Sequence, residues 1–80
     1  MRVNFKNDGS KLSRQLLSLV DFSRGNNYED THISVDVLND SIVVGTFCVN
    51  EFGSAWDNEN YTRVKKEDVP FFAARKLGII

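Results

Sequence analysis

Residues 32–50 read HISVDVLNDSIVVGTFCVN, and how this stretch is read decides the fold. HISVDVL (32–38) alternates, placing Ile33, Val35 and Val37 on one face, the period-two pattern of a half-buried strand. IVVGTFCVN (42–50) is β-branched and aromatic, as in a more fully buried strand. LNDS (38–41) lies between them, and Asn39-Asp40 suits the positive φ values of a tight hairpin. This register pairs Val37 with Ile42 and Val35 with Val44 on the core face. A slip of one residue would turn that apolar set outward.

On the N-terminal side, RVNFK (2–6) alternates with Val3 and Phe5 on one face, a short strand. NDGS (7–10) reads as a turn, and Ser10 as the N-cap of a helix running to about Arg24. Leu12, Leu16, Leu19 and Val20 then share one face, with Lys11, Arg14 and Ser18 pointing away. Gly25 is expected to stop this helix in a left-handed C′ position, followed by a polar loop.

C-terminal to the hairpin, EFGSAWDNEN (51–60) shows no period and reads as a loop. YTRVKK (61–66) is expected to be an edge strand, its lysines discouraging pairing with other chains. Asp68 reads as the N-cap of a last helix with Pro70 in its first turn. Val69, Phe72, Ala73 and Lys76/Leu77 form its stripe, and Gly78 ends it, with Ile79-Ile80 folding back. The order is β-α-β-β-β-α: an α+β fold, one domain over residues 1–80, with an antiparallel sheet and both helices packed against it. Phe71 and Phe72 cannot both face inward from one helix, which leaves a homodimer open.

Eighty residues hold one thin core. Nine aromatics among them argue for a folded chain rather than a disordered one. The single cysteine, Cys48, excludes an internal disulfide and points to a reducing compartment. The N-terminus lacks the apolar run of a leader, and no segment approaches membrane-spanning length, so a cytoplasmic protein is expected.

The net charge of −1 hides a segregation. Residues 1–24 and 63–80 each carry five bases and two acids, whereas residues 25–62 carry seven acids and no Lys or Arg. Glu29, Asp30, Asp36, Asp40, Glu51, Asp57 and Glu59 are expected to make an acidic pole that steers toward basic partners. The bland alternative is a solvated surface whose acids pair with bases of the same fold, each pair contributing about 0–1 kcal/mol.

Catalytic chemistry has little to work with. His32 is expected to face Phe47 rather than Cys48, which argues against a Cys–His nucleophile. One His and one Cys do not make a zinc site. DNENY (57–61) begins like a calcium loop, but Thr62 stands where that loop needs glycine and Tyr61 where it needs an oxygen ligand. NDGSK (7–11) lacks the glycine spacing of a phosphate loop. No enzyme, metal or cofactor is expected.

Two surfaces remain. The first expectation is a protein-binding surface made of Glu51, Phe52, Trp56, Asp57, Glu59 and Tyr61 with Asp36 and Asp40, in which aromatic anchors sit within a charged rim. Its partner would be a protein with a basic, nucleic-acid-binding surface. Against this stands the reading of Trp56 as a plug for the end of the core. The second expectation is a small DNA- or RNA-binding regulator using Arg14, Arg63, Lys65, Lys66 and Lys76 to track phosphates. In size, asparagine content and lack of catalytic residues the chain resembles the small accessory proteins of phages and mobile elements. Many of those inhibit a host machine, as anti-CRISPR proteins and polymerase or nuclease inhibitors do. That resemblance implies an inhibitor and assigns no residue.

Overall fold

The hairpin forms in the expected register. In a computed structural model describing all of residues 1–80, strands β2 (His32–Val37) and β3 (Ser41–Val49) are antiparallel. Val37 lies opposite Ile42 and Val35 opposite Val44. Ile33, Val35, Ile42 and Val44 are fully buried, so one face of this pair is the centre of the core. Strand β1 (Arg2–Lys6) adds to the free edge of β2, bringing Val3 opposite Val35 and Phe5 opposite Ile33.

The other edge of β3 is shared end to end by two short strands. β4 (Ala55–Asp57) pairs with Phe47–Val49, and β5 (Thr62–Lys65) pairs with Ser41–Val44. The stretch 51–60 is therefore not all loop. A three-residue strand is too short to show a period, which is why the sequence pattern missed β4. The result is a five-stranded antiparallel sheet with both helices against one face, an α+β layer.

Helix α1 spans only Lys11–Leu17. Ser10 caps it as expected, its hydroxyl accepting the Ser13 amide at 3.2 Å. The end tightens, with Leu19 N–H donating to Leu16 and Val20 N–H to Leu17, both at 3.1 Å. A separate 3₁₀ turn follows at Phe22–Arg24, capped by Asp21 through Ser23 N–H at 3.0 Å. Ser18, Asp21 and Ser23 offer the backbone local alternatives to helix, and these win over the apolar period. Leu16 and Val20 still reach the core, with Leu12 and Leu19 partly buried beside them.

Three further expectations are corrected. Gly25 is extended (φ −78°) and caps nothing in a left-handed conformation. Asn39 and Asp40 keep negative φ, and the reversal is held by Leu38 N–H donating to Ser41 at 2.9 Å. The last helix, α2, covers Phe71–Leu77 behind Pro70, while Asp68 belongs to a preceding 3₁₀ turn. A missing cap on α2 is supplied from α1, where Gln15 Oε1 accepts Ala73 N–H at 3.2 Å. Gly78 does end α2 at φ +76°. Ile79 packs on the core and Ile80 does not. No helix is long and apolar enough to cross a membrane.

Candidate partner-binding surface

The segment between β4 and β5 is held by side chains rather than by strand pairing. Thr46 lies in the gap between the two partners of β3 and is 1% exposed. Its N–H donates to Asn60 Oδ1 at 2.7 Å, and its carbonyl accepts Asn58 N–H at 3.1 Å. Asn58 and Asn60 are themselves buried. Asn60 Nδ2 donates to Thr46 Oγ1 at 2.6 Å, and Asn58 Nδ2 to Asp30 Oδ1 at 2.6 Å. Thr46 Oγ1 in turn donates to Asp30 at 2.7 Å. This network joins the 26–31 loop to the 57–61 segment, with Asn26 N–H donating to Asn58 O at 2.8 Å. Gly25 is required by this packing, because a Cβ there would stand 2.9 Å from the Asn58 carbonyl.

The plug at this end of the core is thus polar, and Trp56 is not part of it. Trp56 is 42% exposed, opposite Cys48 and beside Tyr28, with ring centres 6.3 Å apart. Tyr28 is also half-exposed, and Phe52 at the tip of the β3–β4 hairpin is 83% exposed. Asn50 shapes that tip, its side chain accepting the amides of Phe52 and Ser54 at 3.0 and 2.9 Å. Glu29 and Glu51 are exposed next to these rings in the chain, whereas Asp57 turns to the other sheet face and Glu59 shares a depression with Asp21, Arg24 and Arg63. The loops carrying them contain no Lys or Arg. Glu29 was expected in the acidic pole, but Tyr28 was not singled out in the sequence, since only folding brings its ring beside Trp56.

The other acids do not join this group. Asp40 lies at the opposite end of the nine-residue strand β3, roughly 30 Å from Glu51 at about 3.3 Å per residue. It shares a surface depression with Lys65, Lys66 and Glu67. Asp36 lies on the uncovered sheet face near the Met1 amino group, at 3.5 Å. Asp30 is committed to the buried network. The single acidic pole expected from the sequence is therefore divided in space.

Tyr61 and Asp57 form a unit on the uncovered sheet face. Tyr61 donates its hydroxyl proton to Asp57 Oδ2 at 2.9 Å, and the Arg2 guanidinium stands 5.9 Å from its ring centre. Burial first, then the bond to Asp57 and the repulsion of that carboxylate, raise the Tyr61 phenol above its usual 10.0. The ring packs on Gly45, where an added Cβ would meet it at 2.5 Å.

The basic residues expected to act together are also divided. Arg63 and Lys65 sit opposite Val43 and Ser41 and project onto the uncovered sheet face. Arg14 and Lys76 belong to the helices on the other side, and Lys66 to the turn after β5. His32 lies opposite Phe47 and stacks on it with ring centres 5.1 Å apart. Cys48, one position further along β3, points to the opposite sheet face and is half-buried rather than enclosed. The Cys–His pairing is thereby absent.

The chain matches no protein-family model, no curated protein and no solved structure.

Proposed function

We propose that this chain is a non-enzymatic protein-binding module that docks the Tyr28–Trp56–Phe52 end onto a basic surface of its partner. The observation that carries this reading is the exposure of three aromatic side chains on base-free loops. Exposed rings held on a structured hairpin and flanked by carboxylates suit an interface with an apolar centre and a charged rim. The Asn58–Asn60–Thr46 network supports the reading, because it orders the presenting segment before any partner arrives. Such preorganisation removes part of the entropic cost of binding.

Glu29 and Glu51 would meet lysines and arginines of the partner, and a nucleic-acid-handling protein offers such a surface. An inhibitor carried by a mobile element could act this way, its carboxylates standing where phosphates bind. The experiment is capture from cell lysate on immobilised protein, followed by mass spectrometry and a salt wash. A partner retained by wild type and by Asp40→Lys, but lost by Trp56→Ala and by Glu29→Lys/Glu51→Lys, is the expected result. Retention by all four proteins would overturn the proposal.

A further inference from the structure

The face of the sheet away from the helices is uncovered, and its composition differs from that of the aromatic end. Alternation along the paired strands puts Arg2, Asn4 and Lys6 of β1 on this face, with His32, Ser34 and Asp36 of β2 beside them. Val43, Gly45 and Phe47 of β3 follow, and then Arg63 and Lys65 of β5. The cations occupy the two outer strands of this half of the sheet, and the aromatic rings of Phe47 and Tyr61 lie between them. The one ion pair in the chain joins the Met1 amino group to Asp36, so these four cations have no carboxylate within 4.0 Å. Acids on the face are Asp36 and Asp57, the first beside that amino group and the second accepting the Tyr61 hydroxyl.

Between the rings and β1 runs a groove of about 320 Å³ lined by Arg2, Asn4, Ser34, Phe47, Asp57 and Tyr61, with Ala55 and Trp56 of β4. Its size falls at the low end of small-ligand sites, about 300–1,000 Å³. Its wall combines ring surface with an amide, a hydroxyl and a carboxylate. The Gly45–Tyr61 contact keeps the ring on the sheet and leaves the phenol side half-exposed.

We propose that this face binds single-stranded nucleic acid, a base entering the groove against Tyr61 and Phe47 while Arg2, Lys6, Arg63 and Lys65 take phosphates. Cations without carboxylate partners on both sides of half-exposed Tyr61 and partly buried Phe47 suit a flexible polyanion with aromatic bases. A duplex, whose bases are already stacked, could use the cations alone. The groove shares Trp56 with the aromatic end, but the cations that take phosphates lie on β1 and β5, so this proposal does not rest on the function proposed above.

Fluorescence anisotropy of labelled oligonucleotides of about twelve nucleotides, in DNA and RNA forms, tests this. Wild-type protein is expected to bind at about 50 mM salt and to weaken at about 200 mM, with a log–log slope of about 2 to 3 for four phosphates. Arg63→Glu/Lys65→Glu and Arg2→Glu/Lys6→Glu are each expected to lose at least about tenfold, since each removes two phosphate contacts. Glu29→Lys/Glu51→Lys keeps the face intact and should retain or strengthen binding. A DNA or RNA preference between the two probes identifies the strand type taken. No binding at low salt, affinity unchanged in both reversals, or tighter binding to a duplex of equal length would overturn the proposal.

Discussion

Gly45 and Tyr61 are a matched pair, and each explains the other. The glycine has ordinary strand geometry, so its need is spatial rather than conformational: the Tyr61 ring takes the place of its side chain. Gly45→Ala is expected to destabilise the fold by about 1–3 kcal/mol, the usual range for overpacking. Adding Tyr61→Ala should recover part of that loss, which a denaturation double-mutant cycle would reveal. The raised Tyr61 phenol has a definite sign. A group held neutral by the fold stabilises it below the unfolded value of 10.0, and that contribution is lost as pH rises through 10.0 toward the folded value. Alkaline unfolding monitored against Tyr61→Phe should show the variant less sensitive to pH above 10.0. Asp57→Asn should bring the phenol down by removing both the charge and the preferred acceptor. Asn58 acts on a larger scale than its size suggests. Its amide bridges Asp30, Thr46 and the Tyr28 carbonyl. Replacing it with Leu would strand those partners at about 1–3 kcal/mol and loosen the loop that presents Trp56.

Among the elements, the β2–β3 hairpin was legible because alternation and β-branching agree over both strands, and the apolar faces permit only one register. α1 was legible on its first two turns. Its end was not, because Ser18, Asp21 and Ser23 compete locally while the apolar spacing continues through them. β4 carries no pattern in three residues, and the segment after it is held by Asn58 and Asn60 meeting Thr46 across the chain. The Gln15 cap on α2 is equally non-local. The caps themselves are testable. Ser10→Ala should cost about 1 kcal/mol in thermal or chemical unfolding. Asp8 and Asp21 are held below the usual 3.8 by hydrogen bonds from Ser10 and Ser23 respectively. Their contribution is present above 3.8 and disappears as pH falls through the lowered folded values. Asp21→Asn, which can still cap, should leave neutral stability nearly unchanged and flatten the acid limb below about pH 4.

For the molecule as a whole, charge segregation along the chain is not charge segregation in space. β3 carries the acid-rich middle from one end of the sheet to the other, so Asp40 and Glu51 part company while Asp36 turns onto a basic face. What survives is a smaller acidic surface around exposed rings, with an uncovered cationic sheet face beside it. The candidate partner residues that stay together are Glu51, Phe52 and Trp56, joined by Glu29 of the expected acidic pole and by Tyr28, whose ring the sequence alone could not bring near. The Trp56 end is a surface rather than a piece of core, with the indole 42% exposed. Because Trp56 is the only tryptophan, acrylamide quenching of its fluorescence reads that end alone. Ready quenching is expected in the free protein, with protection once the captured partner is added. A tryptophan already shielded in the free chain, or one equally quenched with the partner bound, would contradict this.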